Sequence, residues 1–233
     1  MSVKQALPIE LFYWPTANGH KISIFLEEAA VPYVLRFVNI GRGDQFDPKF
    51  LEISPNNRMP AIIDPEGPGG APISVFESAA ILQYLGRKFG QFYPGDERKR
   101  VAVEEWLAWQ VANVGPVFGN NNHFRNYAHE KLPYAITRFL NETYRLYRVL
   151  NQRLVDREFV AGDYSIADMA LFGWIRNWGR RGIDIVDFPN VKRWVETLEA
   201  RPAVARALAI KAPAAELDLA RDEAARSVLF GQR

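Results

Sequence analysis

The chain contains no cysteine among its 233 residues. This absence excludes disulfide bonds, thiolate metal sites and a protein thiol that acts as a nucleophile. Charge of one sign is not in large excess either, because 29 Lys and Arg stand against 27 Asp and Glu. The formal net charge of +2 therefore gives no reason to expect nucleic acid as a partner, and an anionic ligand needs only a local basic pocket.

Long apolar runs are also missing. No segment approaches the roughly 20 apolar residues that cross a bilayer, and the opening MSVKQALPIELF lacks the apolar core of a signal peptide. These absences predict a cytoplasmic protein that has no membrane partner. The three histidines, His20, His123 and His129, show no metal-ligand spacing, so no metal is expected.

In the first part of the chain, segments whose apolar residues indicate a strand alternate with segments whose apolar residues have helical spacing. Apolar runs indicate strands at 9–14, 33–40, 59–64 and 73–76. Helical spacing indicates helices around 22–29, 47–53 and 77–90. The Gly- and Pro-rich loop PEGPGGAP predicts that the last two strands form an antiparallel hairpin. An α/β domain at residues 1–90 follows from this order.

From residue 97 onward the pattern is helical. One helix is expected at 97–114, with a single face made of Ala102, Trp106, Trp109 and Asn113. A second helix at 133–154 places apolar residues at helical spacing, namely Ile136, Leu140, Tyr144, Tyr147, Leu150 and Leu154. Ser165 and Asp168 predict a capping box ahead of a further helix. An all-helical domain at 97–233 is expected, ending in a frayed tail at 212–233.

Three short motifs lie where these elements meet. In PTANGHK, Asn18 can be the N-cap of the first helix, and Thr16 alone would be a turn hydroxyl. Met59-Pro60 opens a strand, where a cis bond would turn the Met59 peptide outward and an ordinary trans bond is the commoner case. Glu77-Ser78 either caps a helix or holds a zwitterion, with an ammonium on Glu77 and a carboxylate at the helix start.

The order of these motifs resembles that of the glutathione transferases. PTANGHK, GRGDQF, SPNNRMPAI and FESAAILQYL, followed by PYAITRF and YSIADMAL, look most like the bacterial nu class. That class includes glutathione-dependent disulfide-bond oxidoreductases. The resemblance spans residues 9–210 and implies a thioredoxin-like α/β N-terminal domain that binds glutathione. It also implies an all-α C-terminal domain that contributes the second-substrate pocket, and a homodimer.

The resemblance also implies roles for single residues. Thr16 and Asn18 would lie beside the glutathione sulfur as the catalytic residues. Gln45 would contact the glycyl end, and the Met59 backbone would pair with the cysteinyl backbone, with Pro60 cis. Glu77 and Ser78 would hold the γ-glutamyl ammonium and carboxylate. Two arginines complete the set: Arg138 from the helical half, in its own or a partner subunit, and Arg58, which we add because its charge could meet the glycyl carboxylate.

Arg138 also has an argument from its own helix. It lies about 200° around the helix from Ile136, so it is opposite the apolar stripe and could face a cleft or a partner. An i, i+4 pair with Glu142 on a solvated face is equally compatible with the sequence.

The turn can support thiol chemistry without a protein cysteine if the ligand supplies the sulfur. A free thiol has a pKa near 8.5, so only about 3% is ionised at pH 7. Lowering that pKa by about two units requires roughly 2.7 kcal/mol, which the Asn18 amide, the Thr16 hydroxyl and a helix N-terminus near Gly19 would supply. Tyr13 is a rival thiol donor or a core residue, and Trp14 could line the second-substrate pocket.

Three functions remain open from the sequence. The first is a glutathione-dependent disulfide reductase, in which the bound thiolate attacks small disulfides. The second is a transferase that conjugates aromatic electrophiles or cleaves aryl ethers at the same glutathione site. The third is a non-enzymatic glutathione-binding module. Glutathione is the co-substrate in the first two functions.

Overall fold

A computed structural model describes residues 7–213 and 222–231 of the chain. The strands are Ile9–Tyr13 (β1), Tyr33–Phe37 (β2), Ala61–Asp64 (β3) and Ile73–Phe76 (β4). The helices among the first 90 residues are Ala17–Glu28 (α1), Pro48–Ile53 (α2) and Ser78–Phe89 (α3). The later helices are Glu97–Trp109 (α4), Gly115–Asn122 (α5), Pro133–Arg153 (α6), Ile166–Ile175 (α7), Pro189–Glu199 (α8), Pro202–Leu208 (α9) and Glu223–Phe230 (α10).

The strands form one mixed sheet in the order β2-β1-β3-β4. β1 pairs parallel with β2 and antiparallel with β3, so Leu11 lies opposite Leu35 on one side and Ile62 on the other. β3 and β4 pair antiparallel, which confirms the predicted hairpin. The parallel pair requires a crossover, which α1 supplies between β1 and β2. The carboxyl end of β1 therefore leads directly into the start of α1.

The described residues fall into two compact units. One contains the described residues up to Leu85 together with those from Arg206 onward, and the other runs from Gly86 to Ala205. The boundary thus lies inside α3, before the end of the expected domain at 1–90. The residues after 205 group with the sheet, whereas the predicted domain at 97–233 assigned them to the helices.

The first helix of the second unit buries a different face from the one expected. Its buried residues are Val103, Leu107, Gln110 and Val114, one position on from each residue of the predicted face, and helical turns continue through 127. Trp106 and Trp109 are half-buried at the edge, where their rings meet edge to face with centroids 5.1 Å apart. The Arg153 guanidinium lies 5.2 Å from the Trp106 centroid, which stabilises this partly exposed position.

The start of α7 bears out the predicted capping box. Ser165 and Asp168 hydrogen-bond reciprocally to each other's backbone groups. The fully buried Asp168 carboxylate also accepts from the Val160 N–H and from Trp194 Nε1, at 3.0 Å each. Burial raises the pKa of Asp168 to about 6, and these hydrogen bonds oppose the rise. This turn is a structural centre of the second unit.

The prediction of a frayed tail at 212–233 is partly wrong. Residues 223–230 form α10, and the Asp222 side chain caps it by accepting from the Ala225 N–H at 2.9 Å. Residues 214–221 lie outside the described residues. Ala212, which follows α9, packs against the apolar cluster around Trp14 and Met59. This part of the chain therefore contributes to the first unit. None of the described helices is both long enough and apolar enough to cross a membrane.

Candidate functional site

Thr16 determines how α1 begins. Its backbone is extended, with φ −126° and ψ 167°, and its Oγ1 accepts from the Gly19 N–H at 3.1 Å. Thr16 is therefore the N-cap, not Asn18, and the helix begins two residues before the predicted start near Gly19. Asn18 is instead the second helical residue and is half-buried. A helix's first N–H groups have no partner one turn earlier, so they carry the positive end of its dipole at this point.

Gly19 is required at this turn because the backbone of β1 comes very close to it. A Cβ at position 19 would lie 2.2 Å from the Trp14 carbonyl oxygen, 3.0 Å from the Tyr13 ring and 3.1 Å from Met59 Cε. Only hydrogen fits in that space. The Asn-Gly pair, which the sequence indicated as turn chemistry, is thus also a packing requirement.

A sulfur atom already lies within reach of the Thr16 hydroxyl. Thr16 Oγ1 donates to Met59 Sδ at 3.6 Å while it accepts from the backbone of α1. The start of α1 and the loop before β3 are therefore in contact through this one side chain. The contact brings together two of the sequence-predicted site residues.

Tyr13 and Trp14 belong to the core. Tyr13 is fully buried, its hydroxyl shares a hydrogen bond with His20 Nδ1 at 3.1 Å, and burial raises the pKa of that hydroxyl well above its usual range. These contacts favour the core interpretation of Tyr13 over the thiol donor. Trp14 is 4% exposed and packs with Val38 and Met59, so it is enclosed by its own unit.

The Met59-Pro60 peptide bond is cis, as the resemblance implies. The turn before it is held by the Ser54 hydroxyl, which donates to the Arg58 carbonyl at 2.8 Å, while the Arg58 side chain is exposed. Strand pairing begins only at Ala61. Among the described residues, no hydrogen bond is made to the Met59 N–H or C=O. The Met59 peptide group therefore lies directly before the paired part of β3 and outside its ladder.

Glu77 and Ser78 lie where β4 leads into α3. Glu77 has a left-handed backbone with φ +68°, and its carbonyl accepts from the Ile81 N–H at 2.9 Å. Left-handed backbone is unfavourable for a non-glycine residue, and such residues concentrate at functional sites. The Glu77 carboxylate is exposed and accepts from Asn56 Nδ2 at 3.4 Å. Ser78 is the first residue of α3, at the positive end of that helix.

Lys21 was not among the predicted site residues. It lies on α1, is 2% exposed, and donates from Nζ to Ser78 Oγ at 3.1 Å. Burial lowers the pKa of this ammonium to about 7, and the charge of Glu77 opposes the decrease. The sequence did offer a signal: Lys21 lies four residues before Phe25, hence on the apolar face of α1, where a lysine needs a polar partner.

Gln45 and Arg138 have contrasting surroundings. Gln45 is 5% exposed, its Nε2 donates to the Ile40 carbonyl at 3.2 Å, and its Oε1 has no hydrogen-bond partner among the described residues. Arg138 lies in the other unit, with a side chain 59% exposed and only a 3.9 Å contact to Glu142. Glu142 instead forms a two-pronged pair with Arg145, which lowers the pKa of Glu142. Arg138 is thus weakly held on the outer face of α6.

The fold and these turns together define a class of protein. A small mixed sheet with a cis proline before β3 and a helix start after β1 is thioredoxin-like, and a helical unit follows it. Residues 7–87 match the glutathione S-transferase N-terminal domain, and residues 131–202 match the glutathione S-transferase C-terminal domain. The chain belongs to the glutathione S-transferase family.

Three relatives are informative. The disulfide-bond oxidoreductase YfcG of Escherichia coli is 50% identical over 202 residues, which covers 86% of this chain and 94% of YfcG. A glutathione transferase family member from Pseudomonas fluorescens, solved with two glutathione bound, is 41% identical with a TM-score of 0.83, covering 89% of this chain and 95% of its own. A glutathione transferase from Pseudomonas putida, solved with one glutathione disulfide bound per subunit, is 39% identical with a TM-score of 0.85, covering 91% and 95%.

Proposed function

We propose that this protein is a glutathione-dependent disulfide-bond oxidoreductase that reduces small disulfides. The thiolate of bound glutathione attacks one sulfur of the disulfide, forms a mixed disulfide, and releases a thiolate that takes a proton from water. A second glutathione thiolate then attacks the glutathione sulfur of the mixed disulfide and releases the second thiol. Two glutathione molecules lose two electrons and become glutathione disulfide, and the substrate gains them.

The single observation that carries this proposal is the Met59 peptide group. It is unpartnered among the described residues, it follows the turn before a cis proline, and its side chain contacts Thr16 at the start of α1. A ligand that pairs in extended form with the Met59 backbone would place its neighbouring atoms beside the start of α1. Because the chain contains no cysteine, a sulfur nucleophile at this place has to come from the ligand.

The start of α1 would stabilise the glutathione thiolate by neutral donors. The helix dipole favours an anion there, and the Asn18 amide and the Thr16 hydroxyl are hydrogen-bond donors within the same turn. Each such bond to a charged sulfur contributes about 1.5 kcal/mol or more. Two of them supply the roughly 2.7 kcal/mol that lowers a thiol pKa by about two units.

The remaining residues would hold the rest of the tripeptide. We assign the γ-glutamyl ammonium to Glu77 and its carboxylate to Ser78, and the cysteinyl backbone to Met59 beside Pro60. The glycyl end has three candidates, which are Gln45, Arg58 and Arg138. Arg138 would act from the helical unit of its own or a partner subunit, since we also propose a homodimer, located in the cytoplasm.

The relatives support the proposed reaction in two ways. YfcG, which is named a disulfide-bond oxidoreductase, shares half of its aligned residues with this chain. The Pseudomonas relatives were solved with two glutathione molecules or with one glutathione disulfide, which are the glutathione consumed and the glutathione disulfide formed over the two proposed steps together.

The test compares wild type with Asn18→Ala in the reduction of hydroxyethyl disulfide by glutathione. We expect kcat to decrease about 10-fold or more, because one donor to the thiolate is lost. Asn120→Ala is the matched control, since the exposed Asn120 amide donates to the Pro116 carbonyl of its own helix and lies in the helical unit. Equal rates for wild type and Asn18→Ala would remove Asn18 from the mechanism.

Product analysis distinguishes this function from conjugation. Mass spectrometry of the products should show glutathione disulfide and two thiols from a small disulfide. A stable glutathione adduct formed at a higher rate from an aromatic electrophile would instead indicate a transferase. Tight glutathione binding without either activity would indicate a binding module.

A further inference from the structure

A buried ammonium faces the helix start at which the γ-glutamyl group would bind. Lys21 Nζ lies 3.1 Å from Ser78 Oγ, and the lysine is 2% exposed whereas Ser78 is 9% exposed. Both side chains are therefore shielded from solvent. Fully buried lysines are rare unless a partner compensates the charge.

The chemistry of the two groups fixes the direction of their hydrogen bond. A lysine ammonium has three donors and no acceptor, so Ser78 Oγ can only accept from it. The Ser78 proton is then available to donate in another direction, toward a ligand acceptor. A neutral amine carries a lone pair and can accept that proton, which would leave Ser78 with an oxygen lone pair facing the ligand. Charged Lys21 thus makes Ser78 a donor.

We propose that Lys21 is a positioning residue that makes the Glu77-Ser78 turn selective for a ligand with a free α-amino-carboxylate group. Lys21 orients the Ser78 hydroxyl toward the carboxylate and supplies a positive charge behind it, while Glu77 takes the ammonium. This inference rests on the proposed function, because it specifies which end of glutathione the turn recognises and how. It adds a residue that does not touch the ligand.

Glu77, in the turn before α3, is the charged group that acts on the ammonium. Ser78 is its neutral contact on α3. Tyr13 on β1 and His20 on α1 hydrogen-bond to each other. A ligand carboxylate at Ser78 would favour the charged form of Lys21. Burial lowers the pKa of Lys21 to about 7, so carboxylate binding at pH 8 would be coupled to proton uptake.

The first experiment uses wild-type protein and S-methylglutathione, which has no free thiol to ionise. Isothermal titration calorimetry at pH 8, in buffers of different ionisation enthalpy, should show uptake of about one proton on binding. The γ-aminobutyryl analogue, which keeps the ammonium and lacks the α-carboxylate, should bind with no proton uptake. Equal uptake with both ligands would overturn the proposal without any variant.

The second experiment uses variants at pH 6.5. Lys21→Met should weaken S-methylglutathione binding about 10- to 100-fold, whereas the γ-aminobutyryl analogue should bind the variant and wild type alike. Lys21→Arg should restore part of the loss. Lys99→Met, which removes an exposed lysine that pairs with Asp163, is the matched control. Circular dichroism would establish that each variant is folded.

The outcomes separate this inference from the proposed function. Equal losses for both ligands in Lys21→Met would make Lys21 merely structural, and no loss for either would give it no role in binding. Both results would overturn the inference and leave the disulfide reductase standing. Wild-type protein that does not bind S-methylglutathione at all would remove the proposed function, and this inference with it.

Discussion

The starts of α3 and α7 both combine a serine with an acid, yet they are opposites in their surroundings. In α7, Ser165 and Asp168 satisfy each other, and the carboxylate takes two further donors, Trp194 Nε1 and the Val160 N–H. In α3, Glu77 is exposed with a left-handed backbone, and Ser78 contacts a buried lysine.

This contrast distinguishes a turn that stabilises the fold from a turn that is available to bind a ligand. A turn whose polar groups are all used inside the protein contributes to folding, and it offers nothing to a ligand. A turn that keeps a strained backbone and an exposed carboxylate contributes little to folding. We therefore expect substitutions at the α7 start to change the free energy of unfolding, and those at the α3 start to change glutathione affinity.

The largest effect is expected for Asp168→Ala. It leaves four buried donors without their acceptor, so the free energy of unfolding should decrease by about 4 kcal/mol. Urea unfolding followed by tryptophan fluorescence measures this, and Asp168→Asn should lose less because its amide oxygen still accepts. An Asp168→Ala protein of wild-type stability would contradict the structural role of the α7 start.

A second effect extends the comparison to the start of α1. Gly19→Ala places a methyl group 2.2 Å from the Trp14 carbonyl oxygen, so stability should decrease by about 2 to 3 kcal/mol. The displaced turn should also lower disulfide reductase activity more than 10-fold. Gly119→Ala is the control, since no atom lies within 4 Å of the added Cβ and alanine favours a helix. Wild-type behaviour of Gly19→Ala would mean that the turn has room to move.

The third effect depends on pH. Between pH 7 and 10.5 the folded state binds fewer protons at Lys21 than the unfolded state, because burial lowers the pKa of Lys21 to about 7. The stability of wild type relative to Lys21→Met should therefore increase with pH, by at most about 1.4 kcal/mol per pH unit. Parallel melting curves at pH 7 and 9 measure this difference. A constant difference would mean that Lys21 keeps an ordinary pKa.

The smallest effect on stability is expected at the α3 start, where stability and affinity should change in opposite directions. Glu77→Gly relieves the left-handed backbone, so stability should rise by about 1 kcal/mol while glutathione affinity falls about 10-fold. Ala30→Gly relieves a similar φ of +51° after α1 and should gain stability with unchanged affinity. If Glu77→Gly bound glutathione as wild type does, the α3 start would have no part in the site.

The sequence predicted the elements of the sheet unit well. All four strands lie within the expected runs, and the hairpin is present, because alternation and Gly-Pro punctuation are local properties of the chain. The prediction of which α4 face is buried was wrong by one position along the chain. Trp106 and Trp109 lie at the edge, where their rings meet edge to face and Arg153 lies over the Trp106 ring.

The candidate site stays a prediction from its motifs, and the structure adds contacts that the motifs do not contain. Thr16, Met59 and Glu77 stand at the element ends that the sequence indicates, and the structure adds the contact between the first two. Lys21 was missed because its partner, Ser78, lies 57 residues further along the chain. A pairing of that separation depends on the packing of α1 against α3, which no local pattern expresses.

In the proposed mechanism, the donors at the α1 start also determine how the enzyme responds to oxidants and alkylating reagents. Hydroxyl, amide and backbone N–H groups are not attacked by peroxides or by thiol-alkylating reagents, unlike a catalytic cysteine. A nucleophile that is oxidised to a sulfinate departs with its tripeptide, and the next molecule restores the catalyst. Iodoacetamide treatment followed by dialysis should therefore leave turnover intact, whereas the same treatment inactivates reductases that depend on a catalytic cysteine.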